Sequence, residues 1–160
     1  NLAKELELLG SKLGSDIPFF INGGTQLVEG TGDKLSNIDG SLIKDYYFLL
    51  VVPSIHISTQ WAYEKLNKSL MIDTSDFKFP PLSSSMKWEL FDNDFERVIR
   101  KTHPEIENIK SILQNSGALY LGLSGSGSTV FGIFNSLQKA NKILRKFSNY
   151  QTFIASPVFR

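Results

Sequence analysis

A candidate proton acceptor follows the first helical pattern of the chain. Asp16 stands in the segment LGSDIPFFINGG, between Gly-Ser and an apolar Ile-Pro-Phe-Phe stretch. An apolar wall can shield a carboxylate from bulk water while aiming it into a cleft, and a base that activates a hydroxyl nucleophile needs such a position. Asp after Gly-Ser is also a common turn residue that bonds its local backbone. The spacing leaves both interpretations open.

A second candidate is the segment GLSGSGSTVFG at residues 122–132, in which glycines alternate with serines. A loop centred on Gly125, Ser126 and Gly127 could form a concave nest of N–H and hydroxyl donors for phosphate oxygens. It is not a Walker A loop, because no Gly-Lys-Ser/Thr follows, and a strand rather than a helix comes next, which excludes a dinucleotide-binding fingerprint. A flexible hairpin turn is the alternative, although two residues would suffice for one.

Aromatic residues lie where a predicted strand leads into a helix, in the segment PSIHISTQWAY. Trp61 and Tyr63 could stack on a planar base, and the helix N-terminus near Thr59 offers donors to an anion. Packing of the two rings between helix and sheet explains them as well. His56, at the end of the predicted strand, is predicted to be a structural or exposed residue rather than a catalytic one.

The acidic segment FDNDFE at residues 91–96 admits two interpretations. Metal binding is conceivable, but a helix N-cap with acids near the positive end of the helix dipole is favoured, so we treat Asn93 and Asp94 as structural. His56 and His103 lie far apart without metal-ligand spacing. We therefore predict no metal site among these residues.

Composition limits the class of protein. The 160 residues are 41% hydrophobic and 21% charged, and no segment approaches the roughly 20 apolar residues that cross a bilayer. A net charge of +1 gives no global field that would favour nucleic acid or an anionic membrane. With no cysteine, the chain has no disulfide, thiolate metal site or cysteine nucleophile. These values fit one domain, or one small domain plus part of another.

The first 40 residues are predicted to be the end of an N-terminal domain, present only in part. A helix that starts without a clear cap runs to about Leu13 and ends at Gly14 in the left-handed conformation. Residues 17–21 contain Pro18 and are predicted to be a short extended piece. Glycine turns on both sides of residues 25–29 predict a hairpin. Because the chain begins within a helical pattern, we expect a fragment of a longer protein.

Residues 41–160 are predicted to form an α+β domain of ferredoxin-like, split βαβ type. The apolar run YYFLLVV is a buried strand, and residues 69–86 are a polar surface loop. Further strands are predicted at residues 118–123, 128–134 and 151–156, with helices at residues 59–66, 92–101, 104–114 and 137–147. The crossovers then put the helices on one face of the sheet.

Taken in order, the segments resemble the C-terminal part of kinases of the GHMP superfamily. They are LGSDIPFF, GGTQLVEGTGDKL, VVPSIHISTQWAYEKL, NDFE, HPEIENIKSIL and GALYLGLSGSGSTVFGIF, which cover nearly the whole chain. The Ser-Gly-Ser-Gly loop is shared across the superfamily, whereas the GSDIPF block is typical of the branch that acts on a cytidine diphosphate-linked polyol. The resemblance implies transfer of the γ-phosphoryl of ATP to the 2-hydroxyl of cytidylylated methylerythritol in non-mevalonate isoprenoid biosynthesis.

The resemblance also implies roles for single residues. Asp16 occupies the position of the catalytic aspartate that accepts the hydroxyl proton. The loop with Gly125, Ser126 and Gly127 matches a motif beside the active site and the diphosphate of the substrate.

Two further positions match residues that hold the cytidine. These are Thr59 and Tyr63, with the Tyr63 ring stacked on the base. Gln60 and Trp61 depart from the family pattern, so the details of this pocket differ.

The resemblance further implies ATP and Mg²⁺ as cofactors. The family's N-terminal lysine and its Gly-rich phosphate loop would precede residue 1. Because phosphoryl transfer depends on positioning and charge neutralisation, we expect these 160 residues alone to be nearly inactive. The family setting is the bacterial cytoplasm or a plastid.

Other functions lead to different expectations. A single-stranded RNA binder of this fold needs a basic residue and Gly before alternating aromatics on its third strand, whereas STVFGIF has no Lys or Arg. We therefore expect no nucleic-acid partner and no membrane partner. A regulatory ligand-binding domain of the same fold would not need Asp16. Among enzymes, another GHMP kinase such as homoserine kinase is the alternative, and the segment that contacts the cytidine distinguishes the two.

Overall fold

The structure is a computed structural model that describes residues 2–30, 32, 34–67, 88 and 91–158. The chain divides into two compact units, Asn1–Lys44 with Val158–Arg160, and Asp45–Pro157. The division falls near the predicted boundary at residue 40, and the assignment of the first unit to an N-terminal domain stays a prediction. The predicted loop at residues 69–86 lies outside the described residues.

The first unit begins with two helices, α1 (Leu2–Ser11) and α2 (Ile17–Asn22). Helix α1 ends two residues before the predicted end, and Gly14 does not have a positive φ, so the predicted left-handed cap is wrong. The predicted extended piece is also wrong, because residues 17–21 belong to α2. Pro18 lies in the first turn of α2, where the amide it lacks has no intrahelical partner, so it does not oppose the helix.

The predicted hairpin is confirmed. Strands β1 (Gln26–Glu29) and β2 (Lys34–Asn37) pair antiparallel, with Glu29 opposite Lys34. Gly30 follows β1 with a φ of 67°, a value that favours glycine at the turn. A 3₁₀ turn at Ser41–Ile43 ends the unit.

The second unit contains a four-stranded antiparallel sheet in the order β4-β5-β3-β6. Its strands are β3 (Tyr47–Val52), β4 (Tyr120–Leu123), β5 (Val130–Phe134) and β6 (Gln151–Ala155). Strand β5 lies between β3 and β4, and β3 lies between β5 and β6. Both crossovers thus skip one strand, which confirms the predicted split βαβ arrangement.

Four helices complete this unit. They are α3 (Thr59–Asn67), α4 (Phe95–Thr102), α5 (Pro104–Asn115) and α6 (Leu137–Leu144), the last followed by a 3₁₀ turn at Arg145–Phe147. Helices α5 and α6 pack on the sheet, and α4 contacts both α3 and α5. Ser58 caps α3 by accepting the Trp61 amide at 3.3 Å, and Gly117, with a φ of 81°, follows the end of α5.

The alternation of side chains along the strands explains where the core lies. Leu49 and Val51 of β3 are fully buried, whereas Phe48 and Leu50 between them are half-buried. Successive side chains of a strand point to opposite faces, so Leu49 and Val51 face the helices. The core cluster contains residues from α3, α4, α5 and α6 as well as from the sheet, including Ala62, Ile99, Leu113 and Ile143. This layer of helices holds the N-termini of α3 and α4 near the end of β4.

Candidate active-site surface

The predicted Gly-Ser loop is the connection between β4 and β5. Two internal hydrogen bonds shape it, because Ser124 N donates to Thr129 O and Gly127 N donates to Ser124 O, each at 2.9 Å. Gly125 and Gly127 have φ values of 55° and 92°, which favour glycine. The loop is therefore a built structure rather than a minimal hairpin turn, with the Gly125 backbone exposed.

Helix α3 contacts this loop through its first residue. Thr59 Oγ1 and Ser126 Oγ share a hydrogen bond of 3.1 Å, across 67 residues of sequence. Ser128 Oγ also donates to the carbonyl oxygen of Pro53, just after β3, at 3.4 Å. The structure thus brings together two residues that the sequence analysis singled out in separate segments, Thr59 and Ser126.

Tyr63 lies one turn further along α3. Residues four apart share one face of a helix, so Tyr63 stands on the same side as Thr59. Its ring packs edge-on against Phe95 of α4, with centroids 5.0 Å apart and an interplanar angle of 86°. The residue is 54% exposed, which leaves ring surface free for stacking. Trp61 instead packs edge-on against His103, in agreement with the packing alternative for that residue.

The segment before α4 also contacts the Gly-Ser loop, and the sequence alone does not predict this contact. Asn93 Nδ2 donates to the carbonyl oxygens of Leu123 at 2.8 Å and Gly125 at 2.9 Å. Asn93 Oδ1 accepts the Phe95 amide at 3.0 Å, whereas Asp94, the N-cap residue of α4, makes no side-chain capping bond. The contacts to the loop span about 30 residues of sequence, and no local pattern in a single chain reveals them.

Glu96 and Lys110 support the same corner. Glu96 Oε1 accepts the Leu123 amide at 3.0 Å, and Glu96 Oε2 pairs with the Lys110 ammonium group. The side chains of Lys110 and Glu96 are only 10% and 20% exposed, so water screens the pair little. This ion pair ties α4 to α5 and fixes the end of β4.

A tyrosine hydroxyl ties the preceding backbone to β4. Tyr120 donates its hydroxyl to the Phe91 carbonyl oxygen. Burial raises the pKa of Tyr120, and the nearby carboxylates of Glu96 and Asp92 raise it further. The phenol therefore stays protonated at neutral pH and keeps its role as donor.

Asp16 belongs to the first unit, at the position just before α2. Its side chain makes no capping bond to that helix and accepts a hydrogen bond from the Ser15 hydroxyl at 3.4 Å. The residue is exposed, so the expected shielding by the Ile-Pro-Phe-Phe stretch does not occur within this structure.

The acidic segment does not fit a magnesium site. Within the described part of the chain, no group of three or more His, Cys, Asp or Glu side chains is arranged to hold a metal ion. Asp92 and Asp94 both lie near Arg97, at 3.9 and 3.7 Å, and Glu96 pairs with Lys110. Each of the three carboxylates thus lies near a cation of the protein, with Asp92 and Asp94 sharing Arg97. Among the described residues, no helix is long and apolar enough to cross a membrane.

The fold and the loop correspond to a known class of protein. Residues 80–151 match the family described as GHMP kinases C terminal, a range that includes α4, α5, β4, the Gly-Ser loop, β5 and α6. The second unit of the chain is therefore a GHMP kinase C-terminal domain.

Within this family, the relatives share one name. The chain is 44% identical over 130 residues to the 4-diphosphocytidyl-2-C-methyl-D-erythritol kinase of Parabacteroides distasonis, an alignment that covers 81% of this chain and 47% of the relative. It is 37% identical over 160 residues to the kinase of the same name from Thermodesulfovibrio yellowstonii, covering 92% of this chain and 54% of the relative. The chain thus spans about half the length of the curated relatives it matches.

Solved structures show the same fold. A crystal structure of 4-(cytidine 5'-diphospho)-2C-methyl-D-erythritol kinase superposes with a TM-score of 0.69 at 22% identity, covering 96% of this chain and 57% of that chain. Homoserine kinase from Cytophaga hutchinsonii superposes with a TM-score of 0.64 at 17% identity, covering 89% of this chain and 50% of that chain. At these identities the likeness concerns the fold.

Proposed function

We propose that the protein transfers the γ-phosphoryl group of ATP to the 2-hydroxyl of 4-diphosphocytidyl-2-C-methyl-D-erythritol, a step of non-mevalonate isoprenoid biosynthesis. The observation that carries this proposal is the surface shared by the Gly-Ser loop and α3. The Thr59–Ser126 hydrogen bond sets a loop suited to phosphate oxygens beside a helix face with a half-exposed aromatic ring. A diphosphate linked to a pyrimidine presents the matching pair of groups. The names of the relatives support the same substrate.

Each candidate residue has a role in the proposed reaction. The loop at Gly125, Ser126 and Gly127 would hold the diphosphate through the backbone amides of Gly125 and Ser126 and the Ser126 hydroxyl, while the Gly127 amide keeps the loop in shape by its bond to Ser124. Thr59 would orient the Ser126 hydroxyl, and the Tyr63 ring would stack on the cytosine. This arrangement fixes the substrate by its two ends and leaves the polyol between them.

Asp16 would act as the base. As the 2-hydroxyl oxygen attacks the γ-phosphorus, its proton passes to the Asp16 carboxylate, the bond between the γ-phosphorus and the bridging oxygen breaks, and ADP leaves. The exposed position of Asp16 before α2 suits a group that must reach a substrate. Residues 1–40 would then be the end of the N-terminal domain, and most ATP contacts would be made outside this chain. A reaction that uses ATP and a nucleotide-linked polyol is expected in the bacterial cytoplasm or in a plastid.

The proposal is tested by ADP release from the complete natural protein that contains this chain. The acceptors are the cytidylylated polyol, the same polyol phosphate without cytidine, and L-homoserine. We expect the first acceptor to give by far the highest kcat/KM, the polyol phosphate without cytidine to react slowly, and homoserine not to react. Turnover should collapse in Asp16→Asn, because an amide cannot accept the proton. Preferential turnover of homoserine would instead support the homoserine kinase alternative.

A further inference from the structure

We propose that Asn93 is a positioning residue that fixes the distance between the Gly-Ser loop and the packed rings of Tyr63 and Phe95. This inference rests on the function proposed above and adds a residue to it. Asn93 has contacts to both parts, since its amide group bonds the loop while its oxygen bonds the first amide of α4.

Strand β4 is an outer strand of the sheet, so one of its edges has no neighbouring strand. Ser124 bonds across to Thr129, so the backbone groups of the preceding residue, Leu123, point away from β5. Asn93 and Glu96 bond these groups, with the Leu123 carbonyl accepting from Asn93 and the Leu123 amide donating to Glu96. The two side chains therefore replace a neighbouring strand at the point where β4 enters the loop.

The Asn93 side chain acts both as donor and as acceptor. It donates two hydrogen bonds from Nδ2, to Leu123 and Gly125, and accepts one at Oδ1 from Phe95. A carboxylate could accept from Phe95 but could not donate to the carbonyl groups. These three bonds together require an amide side chain. The bond to the helix alone does not, because Asp caps a helix equally well.

A series of contacts leads from Asn93 through α4 and α3 back to the Gly-Ser loop. Asn93 is hydrogen-bonded to Phe95, whose ring packs against Tyr63, and Tyr63 shares a helix face with Thr59. Thr59 is bonded to Ser126 of the loop, which Asn93 holds at Gly125. Each end of the proposed substrate surface is therefore fixed to the other along two routes. A substrate held at both ends depends on their separation, because a displacement of about 1 Å can cost about 100-fold in rate.

The experiment compares Asn93→Asp with Asp94→Asn in the complete natural protein. Asp at position 93 keeps the acceptor for Phe95 and loses both donors to the loop. We expect kcat/KM for the cytidylylated polyol to fall by about 10- to 100-fold, with kcat reduced, while the melting temperature changes by no more than about 3 °C. Asp94 makes no capping hydrogen bond to α4, and its ion pair with Arg97 is exposed, so Asp94→Asn should leave the kinetics within about twofold.

Hydrogen–deuterium exchange on the same two proteins gives a readout that does not depend on activity. We expect Asn93→Asp to accelerate exchange of the amides at residues 123–128 and to leave α5 unchanged. If Asn93→Asp is too unstable for these measurements, Asn93→Ser tests the same point, because a short hydroxyl can cap a helix but cannot make the two loop contacts.

The outcomes separate this inference from the proposed function. Unchanged kinetics and unchanged loop exchange in an active Asn93→Asp protein would overturn the positioning role and leave the kinase proposal standing. A wild-type protein without activity on the cytidylylated polyol would overturn the proposed function. In that case, faster amide exchange of the loop in Asn93→Asp would still support the positioning role of Asn93, and unaltered exchange would refute it.

Discussion

Tyr63 shows at the scale of one residue how packing can prepare a side chain for binding. Its ring is held edge-on by Phe95 and is 54% exposed. If cytosine stacks there, Tyr63→Ala should raise KM for the cytidylylated polyol by about 5- to 150-fold, since a base–aromatic stack contributes about 1–3 kcal/mol. Steady-state kinetics with varied polyol at saturating ATP measures this effect.

Tyr63→Phe is the matched control, because it keeps the ring and removes only the hydroxyl. We expect its KM to stay within about twofold of the wild-type value, as the stacking area is unchanged. A substrate without the base should be turned over equally by all three proteins. Equal losses with and without cytidine would contradict the stacking role of Tyr63.

The partly buried ion pair gives a prediction about stability. Glu96→Gln keeps an acceptor for the Leu123 amide but leaves the Lys110 ammonium group without its counter-charge. We expect the free energy of unfolding to fall by about 2–3 kcal/mol, near the lower end for breaking a buried pair because both side chains keep some exposure. Urea denaturation of wild-type and variant proteins measures the difference.

The chain offers a comparison within the same helices. Glu107 pairs with Arg100 at 3.4 Å, but the Arg100 side chain is 65% exposed. Glu107→Gln should therefore cost no more than about 0.5 kcal/mol. The double variant Glu96→Gln, Lys110→Met should be more stable than Glu96→Gln alone. Equal effects of Glu96→Gln and Glu107→Gln would show that burial adds nothing to the first pair.

Single residues also mark the limit of sequence reasoning. Asp16, Thr59, Tyr63 and the Gly-Ser loop could be proposed from the sequence because residue type and spacing carry the resemblance to the family. The contact of Asn93 with the loop could not, because it depends on how α4 packs beside β4. The exposure of Asp16 was also not foreseen, since an apolar neighbour in sequence need not cover a side chain in space.

At the scale of elements, the β4–β5 connection predicts a contrast between two glycines. A Cβ on Gly125 would meet nothing within 4 Å, so Gly125→Ala should cost only the left-handed backbone, about 1–2 kcal/mol. A Cβ on Gly127 would lie 3.1 Å from Ile57 Cδ1 and 3.2 Å from Leu123 Cδ1. Overpacking should then add about 1 kcal/mol or more for Gly127→Ala.

Chemical denaturation of the two alanine variants provides the comparison. The steric contact at Gly127 and its φ of 92°, which is further from the left-handed minimum than the 55° of Gly125, should both make Gly127→Ala the more destabilising change. A larger loss for Gly125→Ala than for Gly127→Ala would refute this description of the loop.

The elements themselves were predictable wherever periodicity was strong. The strand of β3, the order of strands and the helices of the second unit follow from apolar runs, alternation and capping residues. Helix α2 replaces the predicted extended piece because Pro18 suits both a short extended segment and the first turn of a helix. Six residues with one Pro hold too little periodicity to decide between the two.

For the whole molecule, the second unit is expected to fold independently. Its core cluster extends from Leu49 to Phe147, entirely within Asp45–Pro157. A protein comprising these residues should unfold in one cooperative transition and show near-ultraviolet circular dichroism from its packed aromatic rings. A gradual transition without a near-ultraviolet signal would mean that the core needs the first unit.

The measurement that tests the central claim most directly is analysis of the product made by the complete natural protein. The protein would be incubated with ATP and 4-diphosphocytidyl-2-C-methyl-D-erythritol, and the product examined by mass spectrometry and phosphorus NMR. We predict the gain of one phosphoryl group on the 2-hydroxyl, present with wild-type protein and lost with Asp16→Asn. An unmodified polyol after incubation with folded wild-type protein, or a phosphoryl group on another oxygen, would contradict the proposed reaction.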